Sequence, residues 1–236
     1  MERPVVVICF ALINSILCVA QTPRPDTTFV AQAKSTAKGL YTKSIGGQSH
    51  LYNGSAYTEY ISQREEHPYF IDEWVEGTVT YDKEYHENVP LLYDISTDRL
   101  IVDNPFSIKK VMLVNERVSA FSIQDHKFIH LTVPNMPEGH YEVAYDGKTK
   151  VFVKHRKTMQ SRVVDYSIFN QFEEKKLYYI FIDNRFFAVR GKSSIFNVFG
   201  DQKKELKKFA RENKLLFGSN KAKDISRVAQ YYDQLR

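Results

Sequence analysis

Cysteine is nearly missing from this chain: there are two, Cys9 and Cys18. Both lie in an N-terminal stretch that reads as a cleavable export signal, so a processed chain has no thiol. That excludes disulfides, zinc–thiolate sites and cysteine nucleophiles. A long apolar run is missing too. Residues 5–12 with Ile13, Ile16 and Leu17 form an apolar stretch broken by Asn14 and Ser15, short of the roughly 20 residues that a membrane span requires. No Gly-x-Ser-x-Gly segment is present, which removes the usual signature of an activated serine. There is no RNA- or DNA-binding signature, and an exported protein rarely meets nucleic acid, so no nucleic-acid partner is expected. Internal repeats, low-complexity tracts and long linkers are likewise absent.

What is present begins with the signal. Arg3 supplies the positive n-region, the apolar stretch follows, and Cys18-Val19-Ala20 places small residues at the −3 and −1 positions that signal peptidase reads. The expected signal peptide is residues 1–20, with a mature start at Gln21. Residues 21–27, with Pro23 and Pro25, form a flexible leader. Leu17 is too bulky to precede a lipidated cysteine, so a soluble product is expected rather than a lipid-anchored one. Without disulfides the remaining chain must hold together by its core, and roughly 215 residues suffice for that.

Charge is uneven along the chain. The formal net charge is +5, yet residues 21–150 carry 13 Lys and Arg against 18 Asp and Glu, whereas residues 151–236 carry 19 against 9. Much of the basic excess falls on solvated helix faces near the end. A basic face of that kind can also meet acidic phospholipid or an acidic partner, so peripheral membrane contact through the C-terminal helices is a second reading.

Spacing then sets the fold class. Phe29, Val30, Ala33, Ala37, Leu40 and Tyr41 recur every three to four positions, which predicts a helix over 28–43 lying against a sheet. From Ser49 onward short aromatic and β-branched runs alternate with turn residues, the pattern of antiparallel strands. Residues 51–52 and 57–61 flank Asn53-Gly54, which predicts a tight hairpin. Two more hairpins are expected at Asp146-Gly147 and at Asp183-Asn184. After Lys192 the pattern is helical, with helices over 194–199, 202–213 and 222–235. The expectation is an α+β, mainly β protein: a curved antiparallel sheet (half-barrel, barrel-like or sandwich) with an N-terminal helix and a helical C-terminal subregion. Residues 28–192 would form the helix and sheet, and 193–236 a basic helical subregion packed on the same domain.

Several segments together resemble a family of uncharacterised exported proteins of Bacteroidota. They are Tyr52-Asn53-Gly54-Ser55-Ala56-Tyr57, His67-Pro68-Tyr69-Phe70, Trp74 with Gly77-Thr78-Val79-Thr80-Tyr81-Asp82, and Asn88-Val89-Pro90-Leu91-Leu92-Tyr93-Asp94. Gly139-His140-Tyr141-Glu142, Tyr145-Asp146-Gly147-Lys148, the run from Lys203 to Lys208, and Tyr231-Tyr232-Asp233 complete the likeness. One departure is Asp82-Lys83, where a glycine is expected after the aspartate, so a looser turn is anticipated. The resemblance implies export to the periplasm or outer envelope of a didermal bacterium, and carries no catalytic residue over. In that setting Asn53-Gly54-Ser55 reads as a turn rather than a glycosylation acceptor.

Polar chemistry gives no compact motif. His126 and His130 are four apart, but Lys127-Phe128-Ile129 between them reads as strand, where that spacing spans roughly 13 Å, so a surface pair is expected. His86-Glu87 lacks the second histidine of a zinc protease. Glu65, Glu66, His67, Asp72 and Glu73 form an acidic patch without the ligand pattern of a calcium loop. No metal and no cofactor are expected, and the catalytic residues are unknown. A carboxylate pair for glycoside hydrolysis would come from distant positions that a sequence with 28 acidic residues does not single out.

The aromatic residues are more telling. Tyr57, Tyr60, Tyr69, Phe70, Trp74 and Tyr81 crowd the first half of the mature chain, with Tyr41, Tyr52, Tyr85 and Tyr93. They suit ordinary sheet packing; they also suit a concave surface for a lipid, a glycan or an extended peptide. The leading expectation is an exported envelope protein, non-enzymatic, that binds an apolar ligand or a protein partner. A hydrolase acting on envelope glycan or lipid, and a structural subunit of an envelope complex, are the alternatives.

Overall fold

The computed structural model describes residues 27–45, 50–58, 67–104, 108–164 and 167–236. The expected signal peptide and leader up to Asp26, together with Tyr60, Glu65 and Glu66, lie outside the described residues. A first compact unit ends at Ser44 and a second runs from Ile45 to Arg236. The helix expected over 28–43 forms as α1 (Thr27–Ile45), all but its last residue in the first unit. No described helix is long and apolar enough to cross a membrane.

The second unit is built on one antiparallel sheet of eleven strands. In chain order these are β1 (Ser55–Ala56), β2 (Val75–Tyr81), β3 (Glu84–Asp94), β4 (Arg99–Val102), β5 (Val111–Met112) and β6 (Val118–Ile123). They continue as β7 (His126–Leu131), β8 (Gly139–Asp146), β9 (Lys150–Val164), β10 (Ser167–Ile182) and β11 (Arg185–Val189). Across the sheet the order is β1-β5-β4-β3-β2-β6-β7-β8-β9-β10-β11. The edge strands β1 and β11 do not meet, so the curved sheet stays open; it is neither a closed barrel nor a two-sheet sandwich. Register shifts at Gly77/Val79, Thr80/Tyr81 and Val143/Tyr145 add local twist, as bulges do.

Turn chemistry explains the hairpins. Asp183 and Asn184 both take positive φ, 48° and 59°, the conformation of a two-residue hairpin turn whose twist matches its strands. Asp82 and Lys83 do the same at 49° and 69°, with Tyr81 paired to Glu84, so this turn is tight despite the missing glycine. The hairpin expected at Asn53-Gly54 does not form. Leu51 and Tyr52 lie in a 3-10 turn (His50–Tyr52), and β1 pairs with β5 instead. A Cβ on Gly54 would sit 2.3 Å from the Met112 carbonyl oxygen, so the glycine serves that close approach of backbones. The pairing of β9 with β10 runs much further than apolar alternation suggests, from Lys150 opposite Phe181 to Val164 opposite Ser167.

One face of the sheet carries two apolar cores. At the β2 to β7 end Val79, Tyr81, Leu91, Tyr93, Leu100, Phe121 and Phe128 are buried, with Leu51, Phe70 and Ile71 packed over them. At the other end Val151, Ile180 and Ile182 are covered by α2 (Lys192–Val198), α3 (Lys203–Glu212) and α4 (Lys221–Leu235). The helices bury Ile195 and Phe196 of α2, Leu206 and Ala210 of α3, and Ile225, Val228, Ala229 and Tyr232 of α4, with Phe199 just beyond α2 joining the same core. Each such side chain taken fully from water contributes about 1.5–3 kcal/mol. Asp233 ties α4 to the β8–β9 turn: it accepts from the Thr149 amide at 3.0 Å and from the Tyr145 hydroxyl at 3.0 Å. A smaller cluster around Tyr141, Phe152 and Tyr179 occupies the opposite face.

Candidate functional site

A strip of polar side chains lies between the two cores, on the same face. Register places it there: Phe128 is paired with Glu142, Glu142 with Val153, and Val153 with Tyr178. Because side chains alternate along a strand, His126, Glu142, His155, Glu174 and Lys176 share the face of those four residues. Together they form no motif in the sequence. They converge because four different strands run side by side.

Glu142 is the hub. Its Oε1 accepts from His126 Nδ1–H at 2.6 Å, and its Oε2 accepts from His155 Nε2–H at 2.7 Å. A carboxylate can only accept when ionised, which assigns the proton to each facing ring nitrogen. Burial alone would raise the Glu142 pKa, but the bonds from His155 and His126 outweigh it and hold the carboxyl below its ordinary range. For His155 burial opposes the charge, and Glu142 and Glu174 more than compensate, so its pKa is raised. Nδ1 of His155 faces Glu174 Oε1 at 3.7 Å, an ion-pair contact rather than a hydrogen bond. His155, then Lys176 at 3.2 Å, holds Glu174 down at about 2.

Phe70 roofs this cluster. Its ring lies edge-on to those of His126 and His155, with centroids 4.9 Å away in each case. The segment carrying Phe70 is pinned by backbone bonds, Phe70 N–H to the Tyr93 carbonyl at 2.8 Å and Ile95 N–H to the Pro68 carbonyl at 3.0 Å. Lys157 of β9 adds ammonium bonds to the carbonyls of His67 and Tyr69, at 2.8 and 3.0 Å.

The strip opens into a cleft of about 640 Å³ between the sheet and the start of α4. Phe70, Ala144, Tyr145, Val153 and Tyr178 supply apolar surface, and His126, Glu142 and His155 lie at one end. Lys176 comes from the sheet, and Lys223 and Arg227 from α4. Arg227 is steadied by a 2.7 Å bond to Asn213 Oδ1. Among the described residues neither Lys223 nor Arg227 is in a salt bridge. Of the two serines in the wall, Ser226 donates its hydroxyl to the Ala144 carbonyl at 3.1 Å. Among the described residues no three His, Cys, Asp or Glu side chains are arranged to hold a metal ion; the imidazoles here face carboxylate oxygens.

A second, drier cluster lies alongside. Asp98 accepts from Lys154 Nζ at 2.6 Å, from the Tyr93 hydroxyl at 2.5 Å and from the His140 amide at 3.1 Å. It reaches them because residue 139 is glycine at φ 130°, where a Cβ would lie 1.8 Å from Asp98 Oδ2. Burial would raise the Asp98 pKa, but His140 and Lys154 beside it bring it to about 2. Lys154 is pushed down by its own burial, against the pull of Asp98. The ring of His140 is fully buried, and Nδ1 stands 3.6 Å from Asp98 Oδ1, outside hydrogen-bond reach.

The aromatic residues singled out from the sequence take separate places. Phe70 roofs the cleft, whereas Tyr81 is buried in the first core. Tyr57 and Tyr69 share a hydroxyl bond of 2.9 Å. Lys110 lies over the Trp74 ring at 5.2 Å. Of the histidine pair, His126 joins Glu142 while the His130 ring meets that of His140 at 5.1 Å between centroids. Glu142 stood in the sequence only as part of the Gly139-His140-Tyr141-Glu142 likeness, and His155, Glu174, Lys176 and the α4 residues were not singled out, because each is an isolated polar residue until the strands pair. No family model, curated protein or solved structure matches the chain.

Proposed function

We propose that this protein is a non-enzymatic binding protein whose cleft takes one small ligand with an apolar body and a negatively charged group. The observation that carries this reading is the pairing of a committed floor with an open, cationic wall. Both oxygens of Glu142 are occupied by imidazoles, so the floor is a fixed platform. Lys223 and Arg227 stand across from Tyr145 and Tyr178 with no acidic partner among the described residues. A cleft with a few convergent polar groups and aromatic walls is the ordinary form of a small-ligand site. The place of action we propose is the periplasm or outer envelope, on the strength of the export signal in residues 1–20 and the family resemblance.

A hydrolase is the second reading, favoured by one observation. Glu142 holds His126 at Nδ1 and leaves Nε2 uncommitted, the arrangement of an oriented general base. Of the two serines that line the cleft, Ser226 donates its hydroxyl to the Ala144 carbonyl and is committed there.

Native mass spectrometry of protein released gently from its own cells tests the binding reading. One bound molecule of constant mass is expected, absent from Ala222→Trp, which fills the cleft from α4. Equal occupancy of wild type and Ala222→Trp overturns it. Turnover of ester or glycoside substrates that disappears in His126→Gln would favour the hydrolase.

A further inference from the structure

We infer that α3 and the loop after it form a docking surface for an anionic phospholipid membrane, separate from the cleft. Helix α3 divides cleanly in two. Leu206 and Ala210 are buried on one side. At 100° per residue, Lys203, Lys207, Arg211, Lys204 and Lys208 fall on one continuous face, while Glu205 and Glu212 fall on the far flank. Like charges at i, i+4 (Lys203 with Lys207, Lys207 with Arg211, Lys204 with Lys208) repel along the helix, and the one i, i+4 pair of opposite sign, Lys208 with Glu212, offsets this in part.

Beside that face lies a groove of about 430 Å³. Lys192, Lys207 and Arg211 stand at its polar edge, and Phe196, Leu215 and Phe217 form its apolar floor. Among the described residues no acidic side chain lines it, and none of the three cations is in a salt bridge. Lys192 Nζ lies over the Phe217 ring at 5.7 Å. Asp224, the carboxylate that reaches this region, is spent on the Phe217 amide at 2.7 Å.

The loop is held in an unfavourable shape that serves the surface. Lys214 and Phe217 have φ of 53° and 56°, the left-handed region that bulky side chains avoid. Between them Leu215 turns inward at 6% exposure while Leu216 projects outward at 76%. Five cations, an acid-free groove and one projecting leucine complement a leaflet that offers phosphates above acyl chains.

Flotation with vesicles tests this directly, using phosphatidylglycerol and phosphatidylcholine in equal parts, and phosphatidylcholine alone. The full chain should float with the anionic vesicles, release as salt rises, and ignore the zwitterionic ones. The Lys192→Ala/Lys207→Ala/Arg211→Ala variant should bind roughly a hundredfold more weakly, since each cation near such a surface is worth about a factor of five. Leu216→Ser, at an exposed site that leaves the core intact, should weaken binding further without altering its salt dependence. Circular dichroism checks that both variants fold. No flotation with anionic vesicles, equal flotation of wild type and the triple variant, or binding to an acidic polypeptide in place of vesicles, overturns the inference. Ligand occupancy of the cleft is read independently by Ala222→Trp.

Discussion

Nε2 of His155 and Oε2 of Glu142 are 2.7 Å apart, on neighbouring strands, with side chains 4% and 14% exposed. A charge-assisted bond so shielded from water is strong, and its loss leaves a buried polar group without its partner. It also makes stability depend on pH in a definite direction.

His155, with its pKa raised above 6.5, contributes stability that is full below that value and is lost as pH rises through the folded-state pKa. Glu142, lowered from 4.5, contributes stability present above that value and lost as pH falls through its folded-state pKa. The pair therefore counts fully between 4.5 and 6.5. His67 and His130, both lowered chiefly by burial, act in the opposite sense below 6.5, so the difference between wild type and His155→Gln isolates His155 with its two carboxylates, Glu142 and Glu174. Urea unfolding should show His155→Gln destabilised by about 1–3 kcal/mol inside that window. The gap should narrow as pH rises beyond it; a gap independent of pH refutes the ion pair.

Asp98→Asn should lower stability by about 3–5 kcal/mol, because Lys154 is left buried without a counter-charge. Adding Lys154→Met should recover part of that loss, since an apolar side chain has no charge to compensate. The midpoint of urea unfolding reads both.

Gly139→Ala should cost more than about 1–3 kcal/mol, from the positive φ together with the collision with Asp98. Removing the colliding carboxylate relieves one of these terms. Gly139→Ala combined with Asp98→Ala should therefore cost less than the sum of the two single changes.

Asp233→Ala should release the Thr149 amide, which is buried in the β8–β9 turn. Stability should fall by about 1–3 kcal/mol. Hydrogen exchange at Thr149 should speed up more than at Val228, which stays packed within α4.

The open sheet and the C-terminal helices were legible in the sequence because alternation and three-to-four spacing mark half-buried surfaces. The turn at Asp183-Asn184 was legible for the same local reason. The outer part of the β9–β10 hairpin was not: Lys154 to Gln160 and Glu173 to Lys176 are largely charged, and their pairing is fixed by register rather than by apolar alternation. The polar site was hidden for a related reason. A glutamate in an alternating strand ordinarily points to water; Glu142 points inward because helices and the Phe70 segment cover that face, which is a long-range property. His126 was visible as one of a pair, but its true partner sits sixteen residues away across a strand.

The cleft is tested most directly by the imidazole nitrogen resonances of the full chain during titration with anilinonaphthalene sulfonate, an aromatic anion of the proposed class. His126, at the end of the cleft, should shift saturably, His130 should stay still, and Ala222→Trp should abolish the shift. A His126 signal that does not move, or one that moves equally in Ala222→Trp, contradicts ligand binding in this cleft.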